Sequence, residues 1–511
     1  MRYYYRGPDS PQCVHVEAMM AYRRWFCALC LLFVTVVSAS AVASDWPQLQ
    51  HDSCRTGFTS DEVPPPYAVA WYYNFQPERV SRQVQAVTHR RLVFVPTMMG
   101  NLYALRAENG EVVWKAEVGS PVLHTAACAD GRVLVASLDG TLQAFHADSG
   151  ERAWTFEAPG RRCNFDQSPC IAEGKAFIAT RQGVLYALKL QNGEVAWHKD
   201  LGLPVYQTAA CADGTVYIGG EDMRMRAFDA ETGDEWWRSK QLYGQSFRDY
   251  HPVVTDQYVL VRPMPVHPSR EYFNSNYGKD PDERLDYVFQ ATWDRPWLDA
   301  LKGEGIDPKA VKQHQCGELW QETFPKVKAG KMPDVLADAQ KRVVEHYREH
   351  PYDQDLFVLD RKTGRQSFLP PHFHCLSLPG PVCPPALDAQ GRVVIPWIYI
   401  SHMWAALDLE RQLATEIMCT PRGGNGDETV NASVGGRYLY VMHCEEGNAQ
   451  YTGVFDFKEK DWAGIPHVPK RWWQMSDNCQ SGNNAASISD GRVYHIVFHQ
   501  LAAFEHAGGN K

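Results

Sequence analysis

Apolar runs too short for helices alternate with glycine-bearing turns along much of the chain. Leu102-Tyr103-Ala104-Leu105 is followed by Asn109-Gly110 and then by Val112-Val113-Trp114. Runs of this length, rich in β-branched and aromatic residues, predict strands. A glycine after Asn, Ser or Thr supplies the positive φ of a hairpin turn. The unit then recurs as Ala144, Gly150 and Trp154, as Ala187, Gly193 and Trp197, and as Ala227, Gly233 and Trp237. Its tryptophans are 40, 43 and 40 residues apart. Such a period marks a repeat architecture, WD-type blades among them.

The strands can be counted. Openings of the Asp-Gly-Arg-Val kind number eight, near Leu92, Val133, Ala176, Val216, Val259, Val393, Tyr438 and Val493. Runs like Leu-Tyr-Ala-Leu also number eight, near Tyr103, Gln143, Tyr186, Arg226, Phe357, Ala405, Val454 and Ala502. The last of these has no tryptophan strand after it, while Val69-Ala70-Trp71-Tyr72 is a tryptophan strand with no hairpin before it. Joining the two closes a ring and removes an exposed edge. The fold class predicted is therefore all-β, an eight-bladed β-propeller, with seven blades as the alternative. Trp71, Trp114, Trp154, Trp197 and Trp237 are expected to dock each blade on the next. One buried indole hides roughly 150–250 Å², a gross gain of about 4–6 kcal/mol as an upper bound.

The pattern weakens in the second half. Blade five stops after Tyr258-Val259-Leu260-Val261 and resumes at Asp355. The intervening 263–352 has helical spacing, with Val335, Leu336, Ala339, Val343, Val344 and Tyr347 on one face and a shorter face at Leu285, Val288, Phe289 and Trp293. This helical insertion is read equally as a packing cap or as a lid or partner surface. In blade six, Ala406-Leu407-Asp408 lacks both glycine turn and tryptophan, and in blade seven a long loop is expected between Val454-Phe455-Asp456 and Trp472-Trp473.

Ala227-Phe228-Asp229-Ala230-Glu231-Thr232-Gly233-Asp234-Glu235-Trp236-Trp237 matches Ala-x-Asp-x-x-Thr-Gly-x-x-x-Trp at every fixed position. This resembles the tryptophan-docking motif of the pyrroloquinoline-quinone (PQQ) repeat family, and the other copies keep Ala, Gly and Trp. Asp45-Trp46-Pro47-Gln48 to Gly57-Phe58 is similar to the opening segment of exported members. The resemblance implies a propeller and covers most of residues 45–511. It also links the chain to quinoprotein alcohol dehydrogenases and to an outer-membrane assembly lipoprotein. In the dehydrogenases PQQ lies in the channel beneath two adjacent cysteines, with Ca²⁺ and a catalytic Asp. Here no two cysteines are adjacent and no Cys-x-x-Cys-His haem motif occurs.

Export is predicted from Arg23-Arg24, the apolar run Trp25 to Val37 and Ala41-Val42-Ala43 before Ser44. Residues 1–43 are read as a signal peptide, with a start at Met19 or Met20 as an option, and 44–511 as the propeller. The alternative is an uncleaved anchor. A periplasmic or secreted monomer follows, with no membrane span after cleavage. Eleven cysteines remain beyond residue 43. Cys163 and Cys170 are a candidate pair, whereas Cys128 and Cys211 share a repeat phase and read as small core residues. The net charge of -9, with no long basic run, argues against nucleic acid.

Candidate chemistry sits just before each innermost strand, at the ring centre. The residues there are Gln83 and Gln85, His124 and Thr125, Asn164, Asp166, Gln167 and Ser168. Next come Gln207 and Thr208, Arg248, Asp249 and His251, then Asn425, Asp427 and Glu428, and last Asn483 and Asn484. The ligand-binding set expected is His124, Asp166, Gln167, Gln207, Arg248, Asp249, His251, Asn425, Asp427 and Asn483. Asp166, Asp249 and Asp427 have the oxygen chemistry of a Ca²⁺ site, and the alternative for the whole set is a water-filled channel. His372 and His374 beside Cys375, and His443 beside Cys444, have only weak metal-like spacing. Two functions follow. One is a non-catalytic exported scaffold for a protein, glycan or small molecule, with no cofactor required. The other is a PQQ- and calcium-dependent oxidoreductase in which Arg248, Asp249 and His251 serve as base and cofactor contacts.

Overall fold

A computed structural model describes residues 44–160, 164–264, 303, 305, 340–372 apart from 342 and 346, 384–396, 403–419, 432–441, 453–464, 485–497 and 499–508. Eight sheets form the blades of a β-propeller. Blade one shows the plan: Val87–His89 innermost, then Leu92–Pro96, Asn101–Arg106 and, outermost, Val112–Glu117, each antiparallel to the last. Blades two to seven follow at 127–157, 170–200, 210–238, 253–368, 386–419 and 432–464. Blade eight takes its three inner strands from 487–506 and its outermost from Tyr67–Asn74, paired antiparallel with Gln500–His506. The two ends of the described chain thus close the ring, and all sixteen strands counted from the sequence lie in place.

Each tryptophan strand carries the same irregularity. A bulge falls at the Ala–Trp pair, between Ala104 and Leu105 in blade one and between Val69 and Trp71 in blade eight. It turns the indole toward the following blade. Trp71 Nε1 donates to Ala107 O at 2.9 Å, and Trp114 to Ala147 O at 2.8 Å. Trp154 reaches Leu190 O, Trp197 reaches Ala230 O and Trp237 reaches Arg361 O. The ring lies flat on the turn glycine of that next blade. At Gly193 (φ +74°) an added Cβ would sit 2.6 Å from Trp154 Cε3, so the glycine serves both the turn and the contact.

Where this grammar lapses, other residues take over. In blade six the turn before Leu413–Cys419 places Gln412 at φ 58° without a glycine. In blade seven Lys460 does the same at φ 58°, and the outermost strand is Asp461–Gly464, with Trp462 opposite Phe455. This corrects the long loop to Trp472-Trp473: a four-residue turn of Phe457, Lys458, Glu459 and Lys460 is enough.

Most of the 263–352 insertion, including Leu285, Val288, Phe289, Trp293, Val335, Leu336 and Ala339, lies outside the described residues. The described part of 340–349 is helical. It buries Val343 and Tyr347, and the Gln340 amide pairs with both backbone groups of Ala414, at 3.3 and 2.6 Å. Beneath it, Asp355 joins Arg262 and His372, each at 3.0 Å and all fully buried. Cys170 is a buried free thiol, which corrects its expected pairing with Cys163, a residue outside the described set. Cys128 and Cys211 are buried among apolar neighbours. Among the described residues no helix is long and apolar enough to cross a membrane.

Candidate functional site

The opening segment Asp45–Asp61 threads the middle of the ring and bonds to every blade in turn. Trp46 O accepts from Thr88 N (2.9 Å) and Pro47 O from Cys128 N (2.7 Å). The Gln48 amide pairs with both backbone groups of Ile171. Ser53 O accepts from Cys211 N, Cys54 O from Val254 N, Thr56 O from Leu387 N and Gly57 O from Val434 N, all within 2.9 Å. Phe58–Thr59 adds a short parallel strand to blade seven, and Asp61 Oδ2 accepts from Asp490 N in blade eight. Innermost strands have no inner neighbour in their own sheet, so their N–H groups would be orphans in a dry channel. The segment satisfies one from each blade.

Arg55 pins this plug. Its side chain is fully buried and donates to Ala209 O, Pro169 O, Leu49 O and Gln48 Oε1 at 2.8–3.4 Å. All four acceptors are neutral. Trp46 is also fully buried.

At the other end of the innermost strands lies a second belt, from blade to blade. Gln85 N donates to Thr125 Oγ1, Thr125 N to Ser168 Oγ, Ser168 N to Thr208 Oγ1 and Thr208 N to Tyr250 O, at 2.9–3.2 Å. Within the innermost strands themselves, Ser433 Oγ donates to Ala486 O at 2.5 Å, and Ser487 Oγ donates to Ala86 O. Small hydroxyl side chains at both positions are inter-blade staples.

Between plug and mouth is a cavity of about 40 Å³, room for roughly three waters at 10–15 Å³ each. Leu49 and Gln50 of the plug form its floor. Arg82 and Gln83, His124, Tyr206, and Asp249 and His251 form its walls. Every wall residue precedes an innermost strand, so these strands run from cavity to plug. In each blade the second strand runs back, so connections from second to third strand, and from blade to blade, emerge at the cavity end. The long connections 262–356, 397–402, 420–431, 442–452 and 465–486 all leave described strands there. The plug end carries the tight hairpins.

Burial governs the electrostatics. It lowers the His124 pKa to about 4 against a small opposing pull from Asp166. It lowers that of His251 to about 3, with help from the Arg55 charge. Both imidazoles are neutral at pH 7. Burial also pushes the Asp249 carboxyl up, opposed by Arg82 and Arg248. Asp249 holds φ 67°, in the turn that Tyr250 N closes on Phe247 O. His251 is 5% exposed, and its Nε2 has no hydrogen-bond partner among the described residues.

The expected ligand set is thus distributed. His124, Asp249 and His251 line the cavity. Asp166 is held at the rim by Arg181 at 2.5 Å, and Arg248 stacks 4.0 Å above the Tyr206 ring. Gln167 and Gln207 are fully buried and act within the fold. Gln167 Nε2 donates to Val205 O, and Gln207 Oε1 accepts from Gly219 N. Asn425, Asp427 and Asn483 lie outside the described residues. Reading residue types missed Arg82 and Tyr206 and, above all, the plug with Arg55. The signal available for Arg55 was that it is the one Lys or Arg between Asp45 and Asp61.

Of the three carboxylates expected for calcium, Asp249 lines the cavity, Asp166 is paired with Arg181 at the rim and Asp427 lies outside the described residues. The one carboxylate in the cavity wall, Asp249, is a group whose charge burial disfavours. Among the described residues no cluster of His, Cys, Asp or Glu is arranged to hold a metal ion.

Residues 67–170 and 164–262 match the family described as outer membrane protein assembly factor BamB. No curated protein matches the chain. Among solved structures, BamB from Moraxella catarrhalis is similar at 13% identity and TM-score 0.51, over 86% of this chain and all of that one. The quinohemoprotein alcohol dehydrogenase of Comamonas testosteroni is similar at 12% identity and TM-score 0.54, over 92% of this chain and 81% of that one. A europium-containing methanol dehydrogenase is similar at 10% identity and TM-score 0.51, over 90% and 98%. At such identities the likeness is one of fold. Repeats matched over residues 67–262 and eight blades throughout show an eight-bladed β-propeller similar to the PQQ-repeat proteins.

Proposed function

We propose that the protein is an exported, monomeric, non-catalytic binding propeller that receives its partner at the cavity-bearing end of the ring. The observation that supports this reading is the filled axle. The chain's own segment Asp45–Asp61 bonds to every blade at the middle of the ring. What remains is a cavity of about 40 Å³ beneath the end where the long connections emerge. His124, Arg248, Asp249 and His251, with Asp166 at the rim, are the contacts proposed there. The likeness to a protein described as an assembly factor supports a protein partner. The likeness to alcohol and methanol dehydrogenases supports the second reading, a PQQ-dependent oxidoreductase.

Two measurements separate them. Purified protein titrated with PQQ and Ca²⁺ is expected to show neither stoichiometric quinone binding nor dye reduction with alcohols or sugars. Turnover would replace the scaffold reading by the oxidoreductase. A photo-crosslinking amino acid at Arg248 is expected to trap a defined partner in extracts of the source cells, whereas one at Glu151, on the plug end, is not. Equal labelling from both ends would contradict the assignment of the binding face.

A further inference from the structure

We infer that the cavity at the ring centre is a receptor for a single carboxylate group. This deepens the binding reading above and rests on it only for the identity of the partner.

The argument starts from charge. Arg55 lies directly under the floor, since its Nη1 donates to Leu49 O at 2.8 Å and Leu49 lines the cavity. Its four acceptors are neutral oxygens, so the guanidinium charge is buried without a carboxylate in contact among the described residues. A buried cation is costly unless an anion answers it. Arg82 adds a second guanidinium in the wall, and Arg248 a third at the rim, fixed flat on Tyr206. Among the described residues, Asp249 is the carboxylate in the wall, and Asp166 at the rim pairs with Arg181. Both histidines contribute no charge at pH 7. The cavity is therefore electropositive.

The remaining constraints set the ligand. The space accepts a group the size of a few waters. His251 lines this space, and among the described residues its buried Nε2 has no hydrogen-bond partner. A guanidinium and an imidazole together suit a planar oxyanion that accepts from both. A carboxylate fits this size and shape, either as a free small acid or as the acidic end of a protein partner.

The test uses full-length protein labelled with ¹⁵N-histidine, with the His251 signal assigned through His251→Asn. Acetate, N-acetyl-dialanine and its C-terminal amide, phosphate and methylammonium are titrated in turn. Acetate is expected to shift the His251 resonance saturably at millimolar concentration. Arg82→Gln and Arg248→Gln are exposed-site variants that keep the fold, and each is expected to weaken binding roughly tenfold. A stronger response to the dipeptide acid than to acetate, with none to its amide, identifies a chain terminus as the source. Acetate binding with no dipeptide response identifies a free small acid. No saturable shift, a shift equally produced by methylammonium, binding of phosphate alone, or unchanged affinity in both arginine variants overturns the inference. If crosslinking from Arg248 still traps a partner in that case, the binding face survives without the carboxylate site. If it does not, both readings fall.

Discussion

Trp71 pairs with Ala503 across the seam of the ring in the register that Trp114 holds with Ala104. The seam is thus built with the same bulge, the same indole N–H bond and the same glycine contact as an ordinary blade. Trp71 is 8% exposed and seals blade eight onto Gly110 of blade one. Trp71→Ala is expected to cost about 3–5 kcal/mol, the range for a buried aromatic lost to a cavity. Urea unfolding should show a loss matching that of Trp114→Ala. A much smaller loss at Trp71 would mean that the seam bears no load.

The glycine turns offer a paired comparison. Gly174 and Gly193 are both left-handed, at φ +68° and +74°. A Cβ at Gly174 meets nothing within 4 Å, whereas at Gly193 it strikes Trp154 at 2.6 Å. Gly174→Ala is expected to cost about 1 kcal/mol of backbone strain. Gly193→Ala should cost about 2 kcal/mol more through overpacking. The difference in urea midpoints between the two variants checks the indole contact.

Two pH windows separate two parts of the ring. His124 and His251 bind protons less readily folded, at about 4 and about 3, than at the ordinary 6.5. The unfolded chain therefore takes up more protons, and stability falls as pH drops from about 6.5 toward 4 for His124 and toward 3 for His251. His251→Asn should flatten that limb. Burial raises the Glu78 pKa, but the Lys115, Thr97, Tyr103 and Asn101 contacts outweigh it and hold the carboxyl at about 2, against an ordinary 4.5. Its contribution is full above about pH 4.5 and is lost as pH falls toward 2. Glu78→Gln should flatten only that lower limb, as read from stability against pH.

Much of this architecture was legible in the chain because its signals are local. Asn109-Gly110 and Trp114 lie within a few residues of one another and fix a turn, a strand and its outward face. The seam could be read because Trp71 and Leu501–Phe504 are incomplete halves of the same unit. Blade seven was misread because Lys460 adopts the left-handed turn that glycine usually provides. The site was legible in composition and not in role. Thr125 and His124 are adjacent and both polar, yet one staples blade two to its neighbours while the other faces the cavity. Register decides between them, and it is set by strand pairing between blades. The plug was least visible, because most of its bonds are backbone carbonyls meeting strands as far along the chain as Val434, and such bonds carry no side-chain pattern.

The thiols give a further check. Burial, with the Asp52 charge, pushes the Cys54 pKa up to about 12, and burial raises Cys128, Cys170 and Cys211 as well. A thiol is reactive as its thiolate. All four are expected to resist iodoacetamide at pH 8 in the folded protein and to react fully in urea, as read by peptide mass spectrometry. Rapid native labelling at Cys54 would show that the plug opens.

Residue-resolved hydrogen exchange tests the filled axle most directly. The amides of Thr88, Cys128, Cys211, Val254, Leu387 and Val434 should be among the slowest to exchange, although each lies on an innermost strand. Removal of residues 45–61 should accelerate all six together while the outer strands keep their protection. Fast exchange at these six in the intact protein, or unchanged protection after the deletion, would contradict the account.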